Sequence, residues 1–543
     1  MSKINFKSWL PHLVAVIIFL LITLIYFSPL LEGKRLAQHD VAQWRGMSKE
    51  IIDFRERTGD EPLWTNSMFG GMPAYQISVV YEGNLLRYVD MLFTLGLPVP
   101  ANYVFLYLIG FYFLLVTLKI DPKISMAGAI AFAFSSYFFI IIDAGHNSKA
   151  HAIGYIAPVI AGVLLTFRGR WLSGGAIAAL FLSLQFMTNH LQITYYMLII
   201  LVLLGIFQLV KNINENRVKE YFYSLGILFI VAIFAIATNI TSLWATYEYG
   251  QYTIRGPSEL TSNDQSTGGL DKDYALGWSY GVAESMTLLV PNYMGGATMG
   301  KLDEKSELYK TMISQGVAPA QARQIISQVP LYWGDQPVTS GPTYLGVISL
   351  FLFVLALFTV KGPYKWWLLS AAVLGLILSW GKNFMWFTDI FFNYVPLYNK
   401  FRAVSMTLVI VCFTVPLLAW LGLRKIEKIE LDKNSLIKYL KYSVGIVGGI
   451  LLLLIVFAGA LDYFGPIDEQ LVNQYQWQNW MLDALRTDRA SLMRMDALRG
   501  LFFVLASAGA IWFYLKNKLN RTAFVTILAG LVLVDMWTVN RSY

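Results

Sequence analysis

The chain has 543 residues and a mean hydropathy of +0.53, and only 14% of its residues are charged. Soluble globular proteins average about 25% charged residues, so the composition excludes an ordinary soluble domain. The formal net charge is +8, but the excess lies in short loops between apolar segments, where it acts as an orientation signal rather than as a sign of a nucleic-acid partner. The single cysteine, Cys412, excludes an intrachain disulfide.

Apolar segments of membrane-spanning length recur along the chain. A transmembrane helix needs about 20 apolar residues, and the segments are continuous rather than alternating, which favours helices over barrel strands. The first is too long for a signal peptide and lacks a cleavage site, so we interpret it as an uncleaved anchor. We predict an all-α polytopic membrane protein with about 13 spans, at residues 9–31, 99–118, 125–142, 153–167, 172–187, 193–210, 221–243, 344–360, 365–380, 404–423, 443–460, 501–515 and 523–537.

The connections between these segments alternate in charge. Every second connection is short and basic, as residues 119–123, 168–170 and 424–441 illustrate, and the positive-inside rule assigns these connections to the cytoplasm. Three of the others are long, at residues 32–98, 244–343 and 461–500, and connections of that length are usually functional. We therefore predict a protein of the cytoplasmic membrane with its N-terminus inside, its C-terminus outside and its chemistry on the outer face.

The first long connection begins with the sequence RLAQHDVAQWRGMSKEIIDFRERTG, residues 35–59. Apolar residues recur there at steps of three and four, which predicts an amphipathic helix lying on the outer leaflet; they are Val41, Trp44, Met47, Ile51 and Phe54. A second such piece is predicted at residues 79–96. We identify His39 and Asp40 as catalytic candidates. The alternative for Asp40 is a helix N-cap, since Gln43 three residues on gives a capping-box-like pattern.

The second outer connection, IIDAGHNSKAHAIGY at residues 141–155, is rich in polar groups. Asp143 and His146 are further catalytic candidates, and Lys149 is a candidate for holding a phosphate. Asp143 and Asp40 are suited to sharing a hard cation, whereas the histidine spacing does not indicate zinc. The alternative is an ordinary solvated loop. His190 in MTNHLQITYY is a weaker candidate for contacting the acceptor, with a structural role as the alternative.

Two later segments carry candidate ligand contacts. In LYWGDQPVTSGPTYLG, residues 331–346, the combination of Trp333 with Asp335 and Gln336 is typical of a sugar-binding surface, although an interfacial aromatic belt would have the same composition. In VPLYNKFRAVSM, residues 395–406, Lys400 and Arg402 are candidates for a phosphate site. The alternative for both is snorkelling at the membrane interface.

These segments together with EPLWTNSMFGGMPAYQI resemble the YfhO-type bacterial membrane proteins, in the form found in Bacteroidetes, over the whole chain. That family resembles the GT-C glycosyltransferases. The resemblance implies a single GT-C-like transmembrane domain, with Asp40 as the acid of the first outer loop, Asp143 as a second acid and Arg402 as the phosphate ligand. Family members usually continue into an outer soluble domain, and we expect that domain to be absent because the chain stops at VNRSY. The chain has the pair His39-Asp40 where the resemblance would imply two acids. The requirement for a divalent metal cofactor therefore stays open.

The expected function is transfer of a sugar from a polyprenyl-phosphate donor to a glycan or lipid acceptor of the envelope, with membrane lipid as a further partner and no nucleic acid. The spans are nearly free of charge and the polar groups gather at the outer rim, which favours an enzyme over a transporter or flippase for a lipid-linked sugar. A scaffold for envelope assembly is a third interpretation. No nucleotide-binding motif occurs in the sequence.

The predicted orientation can be tested by labelling. In a background without Cys412, a cysteine at Ser266 should react with a membrane-impermeant thiol reagent in intact cells, because the connection at residues 244–343 is predicted to lie outside. A cysteine at Asn214 should not react. Labelling at Asn214 but not at Ser266 would reverse the topology.

Overall fold

The computed structural model describes residues 6–256 and 268–542, and these fold almost entirely into helices. Ser266 lies outside the described residues. The first part of the chain forms α1 (Phe6–Tyr26), α2 (Ser28–Leu31), α3 (His39–Met47), α4 (Lys49–Thr58), a hairpin of β1 (Trp64–Thr65) and β2 (Met72–Pro73), and α5 (Leu86–Phe93).

The next part runs from the second predicted span to the long connection before the eighth. It forms α6 (Ala101–Thr117), α7 (Pro122–Ala133), α8 (Ser136–Ala144), α9 (Asn147–Gly154), α10 (Ile156–Phe167), α11 (Trp171–Met187), α12 (Leu191–Asn214), α13 (Val218–Ala237) and α14 (Ile240–Gly250). The long connection then contains α15 (Lys272–Leu276), β3 (Met299–Gly300), α16 (Glu307–Ser314), α17 (Pro319–Ile326) and β4 (Val329–Pro330), with β3 and β4 paired antiparallel.

The last part contains the remaining helices: α18 (Val347–Thr359), α19 (Pro363–Ser379), α20 (Met385–Tyr394), α21 (Leu408–Glu427), α22 (Lys433–Val456), α23 (Pro466–Asn473), α24 (Asn479–Leu515) and α25 (Arg521–Asn540). Short 3-10 turns join several of them, including Tyr398–Lys400 and Val404–Thr407.

The helices include many that are long and apolar enough to cross a membrane. Among the described residues, eight helical segments qualify, and the number rises to ten if each of two bent pairs is one span. The bent pairs are α7 with α8, at 44°, and α19 with residues 381–394, at 112°. Three shorter apolar helices, α6, α11 and α18, also coincide with predicted spans. A multi-pass helical membrane protein follows, whereas the count of 13 and the GT-C fold stay predictions.

The centre of the helical bundle is α21, whose most apolar window is 89% buried. It packs against α18, α19 and α7. Close approach to α18 requires glycine, because a Cβ atom on Gly422 would lie 2.5 Å from the Cβ of Ala356. By contrast, α1 and α13 are only 17% and 22% buried, so they lie at the periphery, where lipid would cover them.

The first outer connection forms two helices where the sequence predicted one. Ser48 separates α3 from α4, and Gly59 in the left-handed conformation (φ +77°) ends α4 as expected. The second amphipathic piece is α5. It is tied to the bundle by Asp90, whose carboxylate contacts His151 Nε2 at 2.6 Å and accepts a hydrogen bond from the Tyr155 hydroxyl.

The second and third long connections, which are predicted to lie outside, form a small subdomain, which we call the outer subdomain. Its core combines residues from both, since Leu308, Met312 and Ile326 pack with Leu471 and Leu485. Residues 479–500, predicted as part of a loop, are the first turns of α24. That helix has 37 residues and is about 55 Å long, well beyond the roughly 30 Å hydrocarbon core of a bilayer. Its N-terminal half therefore extends into the outer subdomain.

A buried ion pair joins these pieces. Arg489 of α24 and Asp468 of α23 lie 2.7 Å apart, and both side chains are fully buried. Arg489 also donates to the backbone oxygens of Tyr463 and Pro330, each at 2.8 Å. Asp488 precedes Arg489 in α24. Its carboxylate accepts hydrogen bonds from the backbone N–H groups of Glu307 and Leu308 at the start of α16. The outer subdomain is thus stabilised by charged side chains that each have hydrogen-bonding partners within it.

Removing one partner of the buried pair should unfold this subdomain. Arg489→Met leaves Asp468 buried without a counter-ion, which typically costs about 3–5 kcal/mol. The expected result is rapid proteolysis within residues 299–331 in the purified protein, at a protease concentration that leaves the wild type intact. Arg323→Met is the matched control, because Arg323 and its partner Glu304 are 59% and 57% exposed and such pairs contribute about 0–1 kcal/mol. Equal resistance of Arg489→Met and wild type would contradict this account.

Candidate functional site

A cavity of about 860 Å³ lies between α3, the start of α9, the start of α12 and the segment that precedes α21. Five residues singled out in the sequence line it, although they come from separated segments: Asp40, His146, Lys149, His190 and Arg402. The cavity also contains a cation that sequence reasoning missed, Arg255, and two missed amides, Gln43 and Gln192.

Asp40 is not a helix cap. The N-cap of α3 is Gln38, and no side chain caps that helix. Asp40 is the second helical residue, where a carboxylate interacts favourably with the helix dipole and remains free to face the cavity. Gly145 makes this approach possible, since it adopts φ +95° and a Cβ atom there would lie 3.0 Å from the Cβ of Asp40. The alternative interpretation of Asp40 as the N-cap of α3 is therefore wrong, whereas its catalytic role stays a prediction.

The side chain of Gln38 instead locks α3 to the loop before α9. Its Nε2 donates to the backbone oxygen of Ile142 at 2.5 Å and to Asn147 Oδ1 at 3.2 Å. Asn147 Nδ2 in turn donates to Gln38 Oε1 at 3.3 Å. This reciprocal amide pair fixes the distance between Asp40 and the residues of the second outer connection.

His146 lies beside Asp40, with 3.2 Å between His146 Nε2 and Asp40 Oδ2. Burial lowers the pKa of His146 to about 3, and the positive charges of Lys149 and Arg402 lower it further. The imidazole is therefore neutral at physiological pH. The contact with Asp40 is then between a neutral ring and a carboxylate, which leaves the negative charge of Asp40 uncompensated by the histidine.

Lys149 is the most unusual charge in the cavity. Its side chain is 5% exposed, and the structure gives it no hydrogen bond or ion pair with any described residue. Asp40 is the anionic group whose charge acts on it, while Arg402 opposes it. Buried ammonium groups are normally paired, so an unpaired one that lines a cavity indicates a site for an anion.

Arg402 and Arg255 add two guanidinium groups. Arg402 Nη1 donates to the Tyr274 hydroxyl at 2.5 Å, and its guanidinium lies over the Tyr274 ring. The Arg402 backbone is held by Gln192, whose Nε2 donates to the Arg402 oxygen at 2.7 Å. Neither arginine has a carboxylate partner among the described residues. Burial lowers the pKa of Arg255, and the neighbouring charge of Arg402 contributes.

Lys400 does not line the cavity, but it holds Arg255. Its Nζ donates to the Arg255 backbone oxygen at 2.6 Å, and Arg255 Nε donates to the Lys400 oxygen at 3.0 Å. The predicted phosphate role of Lys400 thus becomes a positional one. In the sequence, nothing connects Arg255 with residue 400, so only the fold could reveal the pair.

His190 begins α12, and its Nδ1 accepts the backbone N–H of Ile193 at 3.4 Å. Burial lowers its pKa to about 4, with a contribution from Lys149. The neutral ring therefore carries its proton on Nε2. The sequence left two alternatives for His190, a structural role and a role in the site. The side chain has a structural role at the start of α12 and also lines the cavity.

One wall of the cavity is apolar. Val41, Trp44 and Met47 of α3 line it together with Ile77. The sequence predicted that these α3 residues would lie on the lipid surface. Their apolar stripe instead faces the cavity, because the contacts at Gly145 and Gln38 turn that face of α3 toward α9.

An apolar groove of about 900 Å³ lies next to the cavity, between α10, α11, α12 and α13. Along α12 its lining runs from Leu191 to Ile206, a length of about 22 Å. Leu397 and Phe401 close its outer end. Leu191 and Phe401 are direct sequence neighbours of the cavity residues Gln192 and Arg402, so the groove and the cavity come near each other at these positions.

The remaining predicted site residues lie elsewhere. His39 is exposed and does not line the cavity. Asp143 also lies outside the lining and interacts with Ser340. Trp333 packs between Tyr293 and Tyr463.

Asp335 and Gln336 belong to a network around Glu284. Gln336 Nε2 donates to Glu284 Oε1 at 2.8 Å, and Asn383 Nδ2 donates to Asp335 at 3.3 Å. Glu284 is 2% exposed, and burial raises its pKa to about 7. Its carboxylate also accepts bonds from Tyr332 and Gly281, so this network has internal partners and does not adjoin the cavity.

Comparison with known proteins gives no relative: no family model, curated protein or solved structure matches the chain. The resemblance to YfhO-type proteins stays a prediction.

The two neutral histidines predict a pH-dependent stability. Both have folded pKa values below the ordinary 6.5, so the unfolded chain binds more protons between about pH 6.5 and 4, and the folded state loses stability as the pH falls through that range. The midpoint of thermal unfolding should drop between about pH 7.5 and 4.5 in wild type. His146→Gln and His190→Gln should each reduce the drop.

His39→Gln, a change at an exposed histidine outside the cavity, is the control and should leave the drop unchanged. A drop of wild-type size in both cavity variants would show that these imidazoles are not held neutral.

Proposed function

We propose that the protein is a glycosyltransferase of the cytoplasmic membrane, which moves a sugar from a polyprenyl-phosphate donor to an acceptor of the cell envelope at the outer face. The observation that carries this proposal is the proximity of an apolar groove to a cavity lined by three basic side chains and one carboxylate. A lipid-linked phosphate has matching parts, an apolar tail and an anionic head.

The cations suit a phosphate that gains charge during the reaction. Arg255 and Arg402 supply two fixed positive charges, and Lys149 supplies a third when its amine is protonated, whereas Asp40 is the one carboxylate of the cavity lining. A sugar phosphodiester carries one negative charge, and the phosphate monoester that leaves carries about 1.5–2 near neutral pH. The surplus of positive charge therefore stabilises the leaving group more than the bound donor, which is the requirement for catalysis.

The groove suits the lipid tail. Its walls are apolar side chains of four helices, among them Val163, Leu201 and Phe229. A tail lying along α12 would end where Arg402 and Gln192 begin the cavity. The donor sugar would then project toward α3 and Asp40.

Asp40 is our candidate for the general base. In the proposed step, its carboxylate takes the proton of the acceptor hydroxyl while the hydroxyl oxygen forms a bond to the anomeric carbon. The bond from that carbon to the phosphate oxygen breaks, and its electron pair stays on the phosphate. Polyprenyl phosphate leaves, and a single displacement of this kind inverts the anomeric configuration. His146 orients the carboxylate without neutralising it.

A metal ion has less support from the observed arrangement. Within the described residues, no three His, Cys, Asp or Glu side chains group together, and Asp143 does not share the cavity with Asp40. No step of the proposed reaction uses a metal ion. Dependence on a divalent cation stays a prediction.

The proposal can be tested on sugar transfer from polyprenyl-phosphate donors by the protein reconstituted in liposomes. Asp40→Asn keeps the size of the side chain and removes the base, so the rate should fall by about 10²-fold or more. Because Asp40 does not cap α3 and the loss of its interaction with the helix dipole costs only about 0.3–1 kcal/mol, the variant should still fold. Asp53→Asn is the matched control, since Asp53 lies on α4, pairs with exposed Lys49 at 2.7 Å and does not line the cavity.

Equal rates for Asp40→Asn and wild type would remove Asp40 as the base. Movement of the donor across the bilayer without cleavage of its sugar–phosphate bond would instead favour the transporter or flippase.

A further inference from the structure

We propose that the face of α3 opposite the cations is the sugar subsite, in which an uncharged sugar ring stacks on Trp44 and hydrogen-bonds to Gln43. This inference rests on the proposed function and adds to it the chemical class of the transferred group. The face consists of Asp40, Gln43, Trp44 and Met47, and we call it the α3 face.

The spacing of these residues makes them one surface. Gln43, Trp44 and Met47 follow Asp40 by three, four and seven positions, which places all of them on the same side of a helix. All four line the cavity. A carboxylate suited to act as a base therefore lies within one helical turn of an indole and an amide.

Trp44 is held in place before any ligand binds. Its Nε1 donates to the backbone oxygen of Ile77 at 3.0 Å, which satisfies the polar edge of the ring and fixes its direction. The side chain is 39% exposed, and it lines a cavity that otherwise collects charges. An aromatic face in such a place suits a ligand that is polar at its edges and apolar on its face, as a pyranose ring is.

Gln43 supplies the matching polar group. Its side chain makes no hydrogen bond with any residue that the structure describes, although it lines the cavity. An amide offers both a donor and an acceptor, as neighbouring sugar hydroxyls require.

The charge of the α3 face selects the class of sugar. Apart from Asp40, its members are uncharged, and Arg45, the basic residue of α3, lies outside the cavity lining. With the base as the sole charge on this wall, an ionised sugar would find no fixed counter-charge beside Trp44. The geometry points to a neutral hexose or N-acetylhexosamine.

The competing account is that Trp44 only anchors α3. The two accounts can be distinguished by comparing ligands that differ only in whether they carry a sugar. We would measure the dissociation constants of polyprenyl phosphate and of polyprenyl phosphate carrying glucose, N-acetylglucosamine or mannose, using wild type, Trp44→Ala and Trp44→Phe in nanodiscs.

The wild type should bind at least one sugar-bearing lipid more tightly than Trp44→Ala does, by about tenfold, while polyprenyl phosphate binds both proteins within about twofold. Trp44→Phe should recover most of the loss, because it restores an aromatic face. Gln43→Ala should weaken the same sugar-bearing lipid and spare polyprenyl phosphate. Trp386→Ala, at a tryptophan that is 71% exposed on α20 and outside the cavity, should change neither.

Two other outcomes would each overturn a different claim. If Trp44→Ala weakened the bare and the sugar-bearing lipids equally, or if no sugar-bearing lipid lost affinity, the α3 face would not be a sugar subsite and the phosphate site would stand. If the wild type bound none of the four lipids, the proposed function itself would be wrong, and the sugar subsite with it.

Discussion

The site depends on a lysine that is buried without a fixed partner. Moving an ammonium group out of water costs several kcal/mol even after relaxation, and Lys149 is only 5% exposed in a cavity whose lining contains one carboxylate and two arginines. The surrounding groups limit this cost without removing it: burial lowers the pKa of His146 and of His190, so these histidines add no further positive charge. What remains is a surplus of positive charge, and an anionic ligand lowers the free energy of the whole arrangement when it binds.

Such an arrangement requires rigid supports, because mobile side chains would turn the charges apart. The supports here are amide and backbone hydrogen bonds that involve no ligand. Gln38 and Asn147 fix α3 against α9, Gln192 fixes the Arg402 backbone, and Lys400 exchanges bonds with Arg255. Each pair joins parts of the chain that are distant in sequence. The cavity is therefore preorganised, and little ordering has to occur when a ligand enters.

Periodicity was sufficient to find the helices, because a segment of about 20 apolar residues has few alternatives in a bilayer. Polar residues beside such segments were also sufficient to suggest Asp40, His146, Lys149, His190 and Arg402, since a charge at the end of a span has few structural uses. The errors have physical causes. The apolar stripe of α3 has the same spacing whether it faces lipid or a cavity, and its orientation depends on distant contacts at Gly145 and Gln38. Trp333, Asp335 and Gln336 have the composition of a sugar site, but Gln336 donates to the buried Glu284, Asp335 accepts from Asn383, and Trp333 packs on two tyrosines. Arg255 has no local signal, because its role comes from a contact with residue 400.

The long connection at residues 244–343 and the membrane bundle both contribute to the site. Arg402 lies in a segment whose backbone is in the left-handed conformation at Leu397 and Ala403, with φ values of 66° and 57°, and non-glycine residues held this way cost about 1–3 kcal/mol each. The strain is tolerated because the long connection at residues 244–343 holds the segment: the N–H groups of Ala403 and Ser405 donate to the oxygens of Ala275 and Trp278. The same connection supplies Arg255 and Tyr274. The bundle thus provides the groove, Lys149 and the support for α3, whereas the outer connection positions both arginines, so a ligand that touches all three cations stabilises the contact between the two parts.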